Sequence, residues 1–177
     1  MKVKSKKIFI TGVSGSGKTT YAKKIANKSK MQFIDFDVIF DYTKSEDYGY
    51  VKNIYESLPH RFVIDAIPFH HGWELFKEYL EQHNDVELIF MVCSNPIAWS
   101  FRIVDKWNFT TRKTREAVRE VLYSSYEQYT NIYYKNLPDI EKYVKVKIYD
   151  SYTNEFISIT ELYRRINWSL AIYKEKK

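Results

Sequence analysis

The chain has 177 residues, of which 45% are apolar and 28% charged, and its formal net charge is +6 at pH 7. This length suits one domain with a hydrophobic core, the composition excludes a disordered chain, and the single cysteine, Cys93, excludes an internal disulfide. No apolar segment approaches the roughly 20 residues that span a bilayer, and the charged N-terminus lacks the apolar stretch of a signal peptide, so we expect a cytoplasmic protein with no membrane partner.

Five short apolar runs alternate with segments of helical periodicity. Runs that are apolar throughout and separated by helices indicate parallel strands buried on both faces, so we predict a single three-layer α/β domain over residues 1–177. In the fifth run Lys145 and Lys147 alternate with apolar residues, which is typical of an edge strand. The predicted strands are 7–11, 31–36, 61–66, 86–92 and 143–149. The predicted helices are 18–29, 47–57, 71–83, 96–107, 114–136 and 159–172.

A glycine-rich segment, GVSGSGKT, follows the first predicted strand and fits G-x-x-x-x-G-K-[ST] at every fixed position. Its glycines let successive backbone N–H groups point at phosphate oxygens, and the helix that follows adds the positive end of its dipole. Lys18 would reach the β- and γ-phosphates, and the Thr19 hydroxyl would bind Mg²⁺. We therefore predict ATP and Mg²⁺ as cofactors, although no motif separates ATP from GTP. The predicted nucleotide-binding residues are Gly12, Ser14, Gly15, Ser16, Gly17, Lys18, Thr19 and Thr20.

Acidic residues follow the next two predicted strands. Asp35 and Asp37 are two residues apart, so both would face the same side at the end of the second strand. Asp37 would accept the proton of an acceptor hydroxyl during phosphoryl transfer, and Asp35 would assist the metal or the acceptor; two solvated acids are the alternative. Asp65 ends the apolar run RFVID and would hold Mg²⁺ with Thr19 and Asp35, whereas the alternative is a structural cap.

Several segments together resemble the P-loop small-molecule and nucleic-acid kinase family: ITGVSGSGKTTYA, FIDFD, FVIDAIP, and VELIFMVC followed by SNPIAWSFRIVDK. That family includes gluconate, shikimate, dephospho-coenzyme A, adenylate and polynucleotide 5′-kinases. The resemblance implies a five-stranded parallel sheet in the order 2-3-1-4-5 and a mobile helical lid, here about residues 102–136. It also implies an aspartate at position 37 in kinases that phosphorylate hydroxyls. The layout is most similar to the polynucleotide 5′-kinase domain, which carries an arginine that residues 38–42 lack here.

The predicted lid is rich in basic residues. Family members close lid arginines over the transferring phosphates, where guanidinium groups stabilise developing negative charge without a change of protonation. Arg102, Arg112 and Arg115 are the candidates for this catalytic role, and a surface ion pair is the alternative for each.

Two further groups of residues are weaker candidates for substrate contact. His70 and His71 open a predicted helix and would line an acceptor pocket, but a surface position is favoured. A stripe of tyrosines on one helical face is typical of core packing, and stacking on nucleic-acid bases is the alternative. The stripe consists of Tyr123, Tyr126, Tyr129 and Tyr133.

The sequence thus predicts a Mg²⁺- and ATP-dependent kinase that acts on a hydroxyl of a nucleoside, nucleotide or nucleic acid. The expected partner is this small-molecule or nucleic-acid acceptor, and no obligate protein partner is evident. A nucleoside monophosphate kinase remains open, because VIDAIP has some likeness to the adenylate kinase acceptor loop. A nucleotide-dependent switch or binding protein also remains open, although a switch needs neither the paired acids nor the lid arginines.

Overall fold

A computed structural model describes residues 6–65, 73–108, 110–118 and 137–175 of the chain. The strands are β1 (Lys6–Gly12), β2 (Gln32–Asp35), β3 (Arg61–Asp65), β4 (Val86–Val92), β5 (Val146–Asp150) and β6 (Glu155–Ile157). The helices are α1 (Lys18–Ser29), α2 (Phe36–Ile39), α3 (Tyr48–Ser57), α4 (Trp73–Gln82), α5 (Pro96–Lys106) and α6 (Ile159–Glu175). A 3₁₀ turn spans Tyr42–Lys44, and residues 112–118 are helical.

The strands form a sheet in the order β2-β3-β1-β4-β5-β6. Both β1 and β2 pair with β3 in parallel, and the sheet is mostly parallel, which confirms the α/β prediction and the order of the first five strands. The predicted all-parallel, five-stranded sheet is wrong at one end, because β6 pairs antiparallel with β5. Strand β6 has only three residues and no apolar run, so the sequence pattern does not predict it.

The lysines near β5 do not mark an edge strand as predicted. Lys145 precedes the strand, and β6 pairs along the outer side of β5. Lys147 is exposed whereas the next three residues, Ile148 to Asp150, are buried. The two lysines therefore mark exposed positions at the start of the strand, and they carry no information about whether another strand pairs beside it.

Backbone contacts divide the described residues into two compact units. The first contains β1 as far as Thr11, residues 18–65 and 73–89, and residues 138–146. The second contains the described residues of the ranges 12–17, 90–137 and 147–175. Among the described residues no helix is both long and apolar enough to cross a bilayer.

Each unit has its own apolar interior. In the first, Phe9 is almost fully buried and meets the rings of Phe62 and Phe76 edge-on, with centroids 5.3 and 5.0 Å away. Helix α1 packs on β2 and β3 and buries Ala22 and Ala26, whose small side chains allow a close approach. In the second unit α5 packs against α6, which buries apolar side chains of both helices.

Several sequence predictions lie outside the described residues. They are the histidines His70 and His71, residue 109 and residues 119–136 of the predicted lid, and the tyrosine stripe at Tyr123, Tyr126, Tyr129 and Tyr133.

The second residue of β1, Lys7, is a buried lysine. The Lys7 side chain is 7% exposed, and its Nζ lies 2.9 Å from Nδ1 of His83 and 3.2 Å from Oδ1 of Asp85. An ammonium group can only donate, so Nδ1 of His83 accepts and the imidazole ring is neutral. Burial, and after it the positive charge of Lys7, lower the pKa of His83.

We expect the first unit to lose stability as the pH falls from 7.5 towards 5.5. The pKa of His83 is lower in the folded chain than the value of about 6.5 in the unfolded chain, so the unfolded chain binds the extra proton below pH 6.5. Urea denaturation at several pH values measures this loss. The His83→Asn variant keeps an acceptor for Lys7 without a titrating ring, and it should show a weaker pH dependence; an identical dependence in both proteins contradicts the assignment.

Candidate functional site

At its glycine positions, the loop between β1 and α1 has a backbone conformation that other residues adopt only with strain. At Gly12, where φ is +135°, an added Cβ atom would lie 2.0 Å from the carbonyl oxygen of Met91. At Gly17 no atom lies within 4 Å of that position, and the restriction comes from φ, which is +88°. The N–H of Ser16 donates to the carbonyl of Val13 at 3.2 Å, which closes the turn.

Ser16 provides a test of whether the loop suits a phosphate. Its side chain is fully buried, and its Oγ has no hydrogen-bond partner among the described residues. Buried hydroxyl groups are nearly always paired, so an unpaired one inside a glycine-rich loop fits a ligand with many oxygen atoms. The geometry of the loop therefore suits a ligand that carries phosphate groups.

Helix α5 fixes the shape of the loop. The helix begins where Asn95 accepts a hydrogen bond from the N–H of Ala98 at 3.0 Å, with Pro96 in the first turn. From this helix the indole N–H of Trp99, a residue only 2% exposed, donates to the carbonyl of Ser14 at 2.7 Å. The loop backbone is thereby tied to a buried side chain far away in the sequence.

Two further residues of α5 reach the loop. The Ile103 side chain lies so close beneath Gly15 that a Cβ there would come within 2.6 Å of it. Nζ of Lys106 lies 3.5 Å from Oγ of Ser14. Positions 99, 103 and 106 share one helical face. That spacing is visible in the sequence, but any amphipathic helix shows it, so sequence reasoning did not single out Trp99 or Lys106.

The start of α1 continues the loop. Lys18 is the first residue of α1. The N–H groups in the first turn of any helix have no acceptor within that helix, so this end of α1 carries partial positive charge. Thr19 and Thr20 are exposed in that first turn. The Thr19 hydroxyl hydrogen-bonds the carboxylate of Asp65, which joins the start of α1 to the end of β3.

Two of the predicted acids stand side by side. The parallel register of β2 and β3 pairs Asp35 with Asp65 at the ends of the two strands. Asp65 is only 4% exposed, and its Oδ1 has no hydrogen-bond partner among the described residues. Burial raises the pKa of Asp65, the negative charges of Asp35 and Asp37 raise it further, and hydrogen bonds from Thr19 and the N–H of Phe36 oppose the rise. Such a carboxylate is better stabilised by a cation than by its present surroundings.

Asp37 has a different environment. Strand β2 ends at Asp35, one residue earlier than predicted, and Asp37 lies in the short helix α2 with its side chain exposed. The Tyr42 hydroxyl donates to Oδ1 of Asp37 at 2.5 Å. The first unit therefore brings Asp35, Asp37, Asp65 and Thr19 close together, with Asp65 buried and Asp37 open to solvent.

The three candidate arginines each have a partner in the second unit. Arg102 donates to Oγ of Ser151 at 2.7 Å and to its carbonyl oxygen at 3.1 Å. The other two arginines form exposed ion pairs, Arg112 with Glu116 at 3.2 Å and Arg115 with Asp105 at 2.6 Å. Exposed pairs contribute only about 0–1 kcal/mol, so a phosphate group can replace either carboxylate at little cost. Their role over phosphates stays a prediction.

The described residues suit magnesium held together with a nucleotide. Within the part of the chain that the structure describes, no three His, Cys, Asp or Glu side chains form a metal cage. Mg²⁺ in nucleotide sites is usually bound through one or two carboxylates and the phosphates, with waters completing its shell. The unpaired oxygen of Asp65, the adjacent Asp35 and the hydroxyl of Thr19 fit that pattern.

The family model described as AAA domain matches residues 4–102, more than half of the chain. Comparison with curated proteins finds no match.

Solved structures show the same fold over nearly the whole chain. Shikimate kinase from Bacteroides thetaiotaomicron is 18% identical, with a TM-score of 0.55 over 96% of this chain and 98% of its own. A gluconokinase from Sinorhizobium meliloti 1021 is 16% identical, with a TM-score of 0.52 over 99% and 97%. A sugar kinase from Janibacter sp. HTCC2649 is 12% identical, with a TM-score of 0.53 over 94% and 93%. At these identities the likeness shows the fold, which is that of small P-loop kinases as predicted.

Proposed function

The chain belongs to the AAA domain family, and we propose that it is a Mg²⁺- and ATP-dependent kinase whose acceptor is a hydroxyl of a nucleoside, nucleotide or nucleic acid. The observation that supports this best is the contrast between two neighbouring acids. Asp65 is buried with an unpaired oxygen, whereas Asp37 is exposed and hydrogen-bonded. Acids in such different surroundings suit different tasks, a metal ligand and a proton acceptor.

The residues of the chain divide the work as follows. The backbone N–H groups from Gly12 to Gly17 and the ammonium group of Lys18 bind the phosphates. Thr19, Asp65 and Asp35 hold Mg²⁺, which when bound neutralises charge on the transferring phosphoryl group.

On the acceptor side, Asp37 accepts the proton of the hydroxyl as its oxygen bonds to phosphorus. The guanidinium groups of Arg102, Arg112 and Arg115 stabilise charge on the phosphoryl oxygens. A phosphate acceptor would need no such base, and residues 38–42 carry no basic side chain to bind one. Both facts favour a hydroxyl acceptor over a nucleoside monophosphate.

Transfer of label from γ-³²P ATP tests the proposal. The acceptor panel contains nucleosides, nucleoside monophosphates, sugars, and DNA oligonucleotides with a 5′-hydroxyl, each with and without Mg²⁺. We expect a labelled hydroxyl acceptor from the nucleoside, nucleotide or DNA arms, only with Mg²⁺. Labelled nucleoside diphosphate would instead identify a monophosphate kinase, and a labelled sugar would place the acceptor outside the proposed class.

A second candidate is a nucleotide-dependent switch or binding protein that hydrolyses ATP without an acceptor. The match of residues 4–102 to the AAA domain model is the observation that favours it. Slow release of inorganic phosphate with no labelled acceptor in any arm of the panel would decide for this candidate.

The Asp65→Asn variant should separate metal binding from folding. Without ligand its melting temperature should equal or exceed that of the natural chain, because a buried carboxylate with an unpaired oxygen costs stability. The increase in melting temperature that ATP with Mg²⁺ produces should be largely lost. Thermal melts with ATP and either Mg²⁺ or a chelator measure both effects.

Asp139→Asn is a matched control for this variant, since Asp139 is a half-exposed partner of Lys142. It should respond to ATP and Mg²⁺ like the natural chain. An equal response from Asp65→Asn would remove Asp65 from the metal site.

A further inference from the structure

The tyrosine Tyr42 hydrogen-bonds the proposed base, Asp37, and the proposed reaction gives this tyrosine no role. The Tyr42 hydroxyl donates to Oδ1 of Asp37 at 2.5 Å, while no described residue hydrogen-bonds Oδ2 of the same carboxylate. The Asp37 side chain is exposed, so burial among other side chains does not set its orientation. The hydrogen bond from Tyr42 is the described contact that fixes it.

Packing fixes the Tyr42 ring in turn. The ring meets Phe40 edge-on, with centroids 5.0 Å apart. Phe40 is buried and stacks on the buried ring of Phe36, with centroids 4.7 Å apart. Half of the tyrosine is solvent-exposed, yet its ring is part of an aromatic stack that reaches the interior of the first unit.

The backbone around Tyr42 is equally well defined. Tyr42 begins a 3₁₀ turn capped by Asp41, whose carboxylate accepts from the N–H of Thr43 at 3.0 Å and from its hydroxyl at 2.6 Å. The N–H of Asp41 donates to the Tyr50 hydroxyl at 2.7 Å. These three hydrogen bonds and the two ring contacts together hold the phenol group against one carboxylate oxygen.

The phenol stays a donor at neutral pH. Partial burial raises the pKa of Tyr42, and the hydrogen bond to Asp37 and the nearby charge of Asp35 raise it further. A protonated phenol can donate only one hydrogen bond, and that bond goes to Oδ1.

We propose that Tyr42 is a positioning residue for Asp37. Its hydroxyl holds Oδ1 of the Asp37 carboxylate so that Oδ2 of the same carboxylate faces the acceptor hydroxyl. This inference rests on the proposed function, in which Asp37 is the base. Hydrogen bonds that orient metal ligands contribute about 10- to 100-fold to activity, and a misplacement of about 1 Å at a reacting group can cost about 100-fold. We expect an effect of the same order when a base loses the hydrogen bond that orients it.

The Tyr42→Phe variant tests the inference, since it removes the hydroxyl and keeps the ring against Phe40. The probes are hydrolysis of γ-³²P ATP, with water as acceptor, and transfer to the acceptor that the panel identifies. We expect kcat to fall about tenfold in both reactions with KM for ATP unchanged. In the Asp37→Ala background the same change should cause no further loss, because the group that it positions is gone.

Tyr48→Phe is the matched control. It removes a tyrosine hydroxyl that donates to Glu78 at 3.1 Å, away from Asp37, and should leave kcat unchanged. Melting temperatures of all variants check that the fold is retained.

The outcomes separate the inference from the function on which it rests. If Tyr42→Phe turns over like the natural chain while Asp37→Ala is slow, the positioning role is overturned and the kinase assignment stands. An equal loss from Tyr42→Phe with and without Asp37 also overturns it, because the phenol would then act elsewhere. If Asp37→Ala itself turns over normally, the base assignment fails and the positioning role fails with it.

Discussion

Asp37→Asn is expected to slow phosphoryl transfer at least about 100-fold while ATP binding remains intact, because loss of a general base typically has this magnitude. The variant keeps the size and polarity of the side chain and removes its ability to take a proton. Asp37 lies in α2, outside the glycine-rich loop and outside the set of proposed magnesium ligands, so the nucleotide should bind as before.

Single-turnover transfer of label to the acceptor measures the chemical step, and equilibrium titration with ATP and Mg²⁺ measures binding. Glu46→Gln, an exposed carboxylate further along the same segment, serves as the control and should keep both properties. Near-normal transfer by Asp37→Asn would remove the base assignment.

The largest loss of stability is expected from Asp150→Asn, at about 3 kcal/mol at pH 7, which is the usual scale for breaking a buried ion pair. Asp150 is fully buried in β5. Its carboxylate accepts from the N–H of Ser94 at 3.1 Å and the Ser94 hydroxyl at 2.5 Å, from the N–H of Tyr152 at 3.0 Å, and from Arg165 at 2.9 Å. An amide in the same place turns an N–H₂ group towards donors and leaves part of this network unpaired.

The same network makes a prediction about pH. Burial raises the pKa of Asp150, but the hydrogen bonds from Ser94, Tyr152 and Arg165 outweigh it and hold the pKa below its usual range. The stabilisation is therefore complete above the unfolded pKa of about 3.9 and is lost as the pH falls through the folded value. The stability difference between Asp150→Asn and the natural chain should shrink in that acid range.

Urea denaturation at pH 7 and at acid pH measures both effects. Asp105→Asn breaks an exposed pair with Arg115 in the same unit and should change stability by no more than about 0.5 kcal/mol. A change below about 1 kcal/mol for Asp150→Asn would show that the network contributes little.

Local patterns account for what the sequence revealed about the fold. Helix α1 spans Lys18–Ser29, as its periodicity predicted, because an amphipathic helix and its glycine-rich start are both encoded within neighbouring residues. The carboxylates at the ends of β2 and β3 were predictable too, since parallel strands place their carboxyl ends at one edge. Strand β6 was not, because a three-residue pairing depends on what lies next to it in space.

The partners of individual side chains could not be predicted from the sequence either, because they too depend on which residues lie nearby in space. Arg102 binds Ser151, 49 residues away, and Trp99 binds the carbonyl of Ser14, 85 residues away. Nothing local distinguishes these residues from others on the same helix face. Tyr42 and Asp37 are only five residues apart in the sequence. Their contact nevertheless requires a strand end, a four-residue helix and a capped turn in succession.

The hydrogen bond between Trp99 and Ser14 gives the glycine-rich loop a built-in optical probe. Indole fluorescence responds to the polarity and hydrogen bonding around the ring, and this indole is buried with its N–H on the loop backbone. A nucleotide that shifts the Ser14 carbonyl therefore changes the emission of the unlabelled protein. Because the chain has four tryptophans, comparison with Trp99→Phe isolates the share of the signal that comes from the loop.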